Sequence, residues 1–143
     1  MADEARIIAS LTITADQVSY SSRPTSFTAD VTGRKGPTPG AVKARMTGTI
    51  VEFSELTIPG FCKIGSLNIA AGNYVEYGIY DPQIDVFYPL GEINKDENYV
   101  IRLSRNLLEE YTSTGTGTTA ATNKFMVKAF NADADVTVEA FEK

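Results

Sequence analysis

Apolar residues fall on every second position through much of this chain, the period of strands with one covered face. Ile7, Ala9, Leu11 and Ile13 share one parity, with polar Thr12 between the last two, and predict a strand over 7–13. Phe27, Ala29 and Val31 alternate with Thr28, Asp30 and Thr32. Val42, Ala44 and Met46 alternate with Lys43, Arg45 and Thr47. Shorter signals lie at Ile50–Phe53 and at Cys62–Ile64. Tyr74–Tyr80 and Val86–Leu90 are rich in the aromatic and β-branched residues that strands favour. Tyr99, Ile101 and Leu103 share a face. Phe125, Val127 and Ala129 do so again, as do Val136, Val138 and Ala140.

Turn chemistry separates these runs. The stretch 32–40 (TGRKGPTPG) combines prolines that lack a donor with glycines that permit positive φ, and predicts a loop. Pro59-Gly60 predicts a break, Asp81-Pro82 a hairpin loop, and the polar run 91–98 another connection. Asn131–Asp135 predicts a hairpin between the last two strands. One short helix is expected at Asn106–Tyr111, capped by Ser104. The Ser/Thr/Gly run 112–122 lacks the apolar residues to order itself and predicts an exposed loop. Roughly eight to ten short strands without a βαβ rhythm predict an all-β fold. The expected architecture is a single β-sandwich over residues 1–143, jelly-roll-like, with an immunoglobulin-like sandwich as the alternative. Residues 1–24 are a candidate N-terminal arm, because the polar patch Ser19–Pro24 follows the first strand.

Composition narrows the chemistry. The chain has 143 residues, long enough to bury roughly 70% of its unfolded surface in one domain. It contains no histidine and a single cysteine, so histidine-based triads and His/Cys zinc sites cannot be built within it. No internal disulfide can form. The net charge is −5, with a pI near 4.7 and no basic stripe, which argues against nucleic acid as a partner. No apolar run approaches the roughly 20 residues of a membrane span. The acidic residues before Ile7 are the reverse of a signal peptide and predict synthesis in a cytoplasm.

Carboxylates are the one plentiful reactive group. Asn131, Asp133 and Asp135 have spacing that can offer oxygen ligands to calcium, but they also suit a solvated turn, and the 12-residue calcium loop is missing. Asp81 and Asp85 with Asp96 and Glu97 could form a glycosidase pair, or simply the polar tips of hairpins. Cys62 reads as a small buried hydrophobe. Tyr74, Tyr77, Tyr80, Phe87, Tyr88 and Tyr99 fit a core, a subunit interface or a sugar-stacking platform. Neither Gly-rich stretch has P-loop context.

Three runs carry a resemblance: GNYVEYGIYD at 72–81, FYPL at 87–90 and YVIRLSR at 99–105. Together with Phe27–Ala41, whose loop reads GRKGPTPGA, and the terminus VEAFEK, they resemble small virion structural proteins of tailed bacteriophages. A Pro-Gly turn that such proteins place before the Arg-bearing strand is replaced here by Ile93–Glu97. The resemblance implies a non-enzymatic building block without cofactor or metal. It would be a capsid decoration or cement protein, with a tail or baseplate component as the alternative. Its partners would be further copies of itself, in a trimer or another cyclic oligomer, and the major capsid protein or other virion proteins. Its place would be the virion, after synthesis in a bacterial cytoplasm. A carbohydrate-binding β-sandwich and a two-carboxylate hydrolase are the rival classes.

The expected subunit interface combines several groups. Ile7 and Leu11 lie on the N-terminal strand, which could complete a neighbour's sheet. Arg34, Lys35, Pro37 and Pro39 lie in a loop stiffened by proline. Tyr74, Tyr77 and Tyr88 supply aromatic area, and Arg102 and Arg105 could clamp a carboxylate across the contact.

Overall fold

The computed structural model describes residues 4–31, 33, 35–53, 55–104, 107 and 123–143. Every regular element among them is a β-strand, and every pairing is antiparallel. The chain divides into two compact units, Met1–Thr32 and Gly33–Lys143.

The first unit is a long two-stranded ribbon. Strand β1 (Glu4–Ala9) pairs with β4 (Thr25–Asp30), and β2 (Thr12–Ala15) pairs with β3 (Val18–Ser21) around Asp16-Gln17. The single strand expected over 7–13 is therefore two. The cause lies opposite it. Ala9 faces Thr25 and Thr12 faces Ser21, so the returning strand carries one extra residue near Arg23-Pro24. A bulge there tolerates a proline that cannot donate to a ladder. Just beyond, the Ser22 N–H donates to the Leu11 carbonyl at 2.8 Å, and the Leu11 N–H donates to Ser22 Oγ at 2.7 Å.

The second unit is a β-sandwich. Its strands are β5 (Thr38–Ala44), β6 (Thr49–Ile50), β7 (Pro59–Asn68), β8 (Tyr74–Asp81), β9 (Val86–Ile93), β10 (Asn98–Arg102), β11 (Lys124–Phe130) and β12 (Ala134–Glu142). One sheet has the order β10-β7-β12-β5 and the other β6-β11-β8-β9. The first strand of this unit pairs with the last, the second with the seventh, the third with the sixth and the fourth with the fifth. That is a long hairpin rolled on itself, the strand order of a jelly roll. The inner faces of the two sheets share one core. Cys62, Ile64, Val136, Val138 and Ala140 come from one, and Val75, Ile93, Phe125, Val127 and Ala129 from the other. Strand β12 shows the predicted alternation in full, with Ala134, Val136, Val138 and Ala140 buried and Asp135, Thr137 and Glu139 half-buried.

Several boundaries move. Thr38-Pro39-Gly40 was expected in a loop but begins β5. An edge strand accepts Pro39 because only one of its sides is paired. Pro59-Gly60 opens β7, since a proline at the first position of a strand removes no ladder bond that matters. Strand β9 runs on to Ile93, which is fully buried, so the polar connection is shorter than its composition suggested. Asn131–Asp133 does not close a hairpin: β11 and β12 belong to different sheets, and the turn crosses between them. Of the expected helix 106–111, only Leu107 is among the described residues, where it is a buried turn residue. The run 112–122 lies outside them.

Candidate assembly surface

Cross-strand register decides which ribbon residues share a face, because directly opposed residues point the same way. Ala5 opposes Ala29, Ile7 opposes Phe27 and Ala9 opposes Thr25. Further out, Ile13 opposes Tyr20 and Ala15 opposes Val18. These pairs make one face free of charge. The other face carries Glu4 and pairs Arg6 with Thr28, Thr12 with Ser21 and Thr14 with Ser19, with Ile8 as its one apolar member. Apart from Ile8, apolar residues are odd-numbered from 5 to 15, even-numbered at 18 and 20, and odd-numbered again at 27 and 29. The extra residue at Arg23-Pro24 accounts for that second change of parity.

No described residue of the ribbon is buried. Leu11 is 55% exposed, Ile13 43%, Val18 56% and Tyr20 52%. Full burial of such side chains is worth about 1.5–3 kcal/mol each, so a large driving force is left unused in the single chain. Of the two ribbon residues expected at an interface, Ile7 is half-buried opposite Phe27, and Leu11 is exposed beside the bulge. Sequence reasoning did not single out Val18, Tyr20 and Phe27. Their signal was the parity switch, which has meaning only once the pairing is known.

The remaining expected interface residues are scattered over the jelly roll. Lys35 is tied to its own chain. Its carbonyl accepts the Glu142 N–H at 2.9 Å, and its Nζ reaches Thr57 Oγ1 at 3.4 Å and Glu142 Oε1 at 4.0 Å. Gly33 also donates to the Lys143 carbonyl at 2.9 Å. The proline-stiffened loop is thus laced to the C-terminal strand, while Pro37 and Pro39 remain exposed. Arg34 and Arg105 lie outside the described residues. The Arg102 guanidinium stands 5.0 Å above the Phe61 ring. Tyr74 stacks on Phe130 with centroids 4.7 Å apart and rings 8° from parallel, and Lys128 Nζ lies 5.8 Å from the same ring. Tyr77 packs against the core, with its hydroxyl end over Gly91. Tyr88 is exposed on edge strand β9. These aromatics do not form one flat row.

Of the candidate carboxylates, Asp81, Asp85, Glu97 and Asp133 accept structural hydrogen bonds. Asp81 Oδ1 accepts the Gln83 N–H at 2.9 Å and Asp85 Oδ1 accepts the Tyr80 hydroxyl at 2.8 Å. That bond raises the Tyr80 pKa, because a phenol that donates to a carboxylate resists ionising. Glu97 Oε2 accepts the Asn94 N–H at 2.8 Å. This bond first, and then one from Tyr99, hold the Glu97 carboxyl below its ordinary range. Asp133 Oδ1 accepts the Met46 N–H at 3.0 Å, and the Asn131 amide donates to the Gly72 carbonyl at 3.1 Å. Among the described residues, no three acidic or sulfur side chains are grouped to hold a metal. Cys62 is buried, and desolvation pushes its thiol up to about 12, far from a nucleophile's range.

No protein-family model, curated protein or solved structure matches the chain. What it can do must therefore be read from its own surfaces. A jelly roll with an apolar core and hydrogen-bonded turns offers packing faces. The ribbon offers an uncovered apolar one.

Proposed function

We propose that this chain is a structural protein of a tailed-bacteriophage particle, a capsid decoration or cement protein that stabilises the shell through subunit contacts. The observation that carries this reading is the division of labour between its units. The jelly roll buries its own core, whereas the ribbon buries none of its described residues and presents a charge-free apolar face. Two strands alone are marginal in water, so a ribbon of this kind is completed by something it binds. Jelly rolls recur in viral capsid proteins, and also in lectins and cupins, so the fold supports the reading by analogy only. A sugar-stacking platform is less well supported, because the tyrosines divide between core, edge and ring stack.

Immunogold labelling of purified particles of the phage that encodes the chain tests this. Label over the heads is the expected result, together with heads that break at a lower temperature when the gene is deleted. Label at the tail tip would move the protein to the tail or baseplate. Particles without label would end the proposal.

A further inference from the structure

Resting on that reading, we infer that edge strand β10 pairs antiparallel with β10 of a second copy of this chain, joining two sheets into one. The edges of the two sheets are not alike. Edge strand β5 carries Pro39 and turns at Gly40 with φ 94°, edge strand β9 carries Pro89 and bulges against β8, and edge strand β6 has two residues. Prolines, bulges and short strands are what block pairing at an edge. Strand β10 has none of these. Asn98–Arg102 holds an unbroken register with β7 and contains neither proline nor glycine. Among the described residues nothing pairs with its other side.

Hydrogen-bond phase sets what that side offers. The Ser66 N–H donates to the Glu97 carbonyl at 2.8 Å, and the Leu103 N–H donates to the Gly60 carbonyl at 2.9 Å. Odd-numbered residues from 97 to 103 therefore turn their backbone groups towards β7. Asn98, Val100 and Arg102 turn theirs outward, because backbone polar groups alternate in direction along an antiparallel strand. The outward N–H and C=O groups of these residues form a row ready for another strand. The side chains leave a second gap. Tyr99 and Ile101 oppose Ile64 and Cys62 on the inner face. Ile101 is only half-buried against the core, and Tyr99 is 39% exposed. The core runs out to this edge and stops there uncovered.

A cover for this edge must be a regular strand with apolar residues opposite Tyr99 and Ile101 and no cation opposite Arg102. Strand β10 meets these terms itself. With Val100 opposite Val100, each of Asn98, Val100 and Arg102 exchanges its N–H and C=O bonds with the residue it faces. Tyr99 then meets Ile101 of the second copy at a non-hydrogen-bonded position, where aromatic and β-branched pairs are favourable. Asn98 meets Arg102, the one charged residue of the strand. The two exposed Arg102 side chains start about 14 Å apart, beyond the roughly 8 Å at which salt screens such charges. The ribbon of another copy fits less well, because two-stranded ribbons twist more strongly than a four-stranded sheet. A strand paired with its own copy makes an isologous contact that closes on itself, as the commonest soluble oligomers do. An edge about 17 Å long is a small contact, so the dimer is reversible in solution and is strengthened where a shell holds copies together.

The test uses the full chain. Val100→Cys and Asn98→Cys are oxidised side by side. In the inferred register the two Val100 Cα atoms sit about 5.5 Å apart, within disulfide reach, and the two Asn98 Cα atoms about 14 Å apart. Val100→Cys is therefore expected to form disulfide dimers at least tenfold faster than Asn98→Cys, and buried Cys62 supplies the background. Sedimentation velocity at rising concentration is expected to move the wild type from monomer towards dimer. Val100→Pro removes an outward donor and no bond to β7, so it is expected to melt as the wild type does and to associate at least tenfold more weakly. Should Val100→Pro unfold, the cysteine pair decides alone. Equal disulfide rates at both positions overturn the inference. So does a wild type that stays monomeric at every concentration, or unchanged association of a folded Val100→Pro. Association lost in Val100→Pro without the disulfide preference would mean that a different strand docks on β10, and overturns it as well. A protein without this dimer that still labels phage heads would remove the contact and leave the proposed function standing. A β10 dimer from a chain absent from particles would do the reverse.

Discussion

The ribbon and strand β12 display the same period-two signal and have opposite fates. In β12 every second side chain is buried among its own chain's residues. In the ribbon the alternation is as regular, yet no described residue is buried. Alternation encodes a face that needs a cover. It does not encode whether the cover belongs to the same molecule. Folding energy and association energy are written in the same residues, and only the topology tells them apart.

The widest expected gap is in hydrogen exchange. In dilute protein, β12 amides should open only with global unfolding, about 5–15 kcal/mol for a domain, whereas β1–β4 amides should open at a cost near zero. Ribbon amides as slow as those of β12 in a dilute monomer would break the comparison. Next is the core. Phe53, only 1% exposed, packs with its ring centroid 5.9 Å from that of Phe125. Phe53→Ala should cost about 3–5 kcal/mol in a denaturant melt, while Ile13→Asp should leave that melt in place.

A smaller loss is expected from Gly78→Ala. A methyl there meets the Tyr88 carbonyl across the β8–β9 bulge, and overpacking of this kind costs about 1–3 kcal/mol. The smallest effect is at Glu97. Its carboxyl is held below the ordinary range, so its contribution is present above the unfolded carboxylate pKa and is lost as pH falls through the folded value. Glu97→Gln should lower stability at pH 7 by no more than about 0.5 kcal/mol, since the half-buried site is still screened by solvent. The difference should vanish near pH 2. A gap that widens in acid would contradict the assignment.

The all-β class and the sandwich were legible because alternation and turn residues agree along the chain. The order of a jelly roll was legible as a preference and no more, since β5 and β12 lie far apart in sequence and nothing local states that they pair. Proline was misread twice for one reason. A missing donor matters only where a neighbour needs it, and Pro39 sits on an edge strand and Pro59 at a strand start. The expected hairpin at Asn131–Asp135 failed differently, because a short polar turn links strands of one sheet or of two with the same residues. The contact of Lys35 with Glu142 was not legible, because the two lie at opposite ends of the sequence.

Pairing β5 with β12 also orders events in time. On the ribosome the ribbon is complete once Asp30 has emerged, and all its pairings are local. The first strand of the jelly roll emerges soon after, yet its neighbour β12 is the last to be made. High contact order slows folding, so β5 must wait through nearly all of synthesis for the strand that holds it. During that interval the jelly roll cannot close, because the strand that holds β5 has not yet been made.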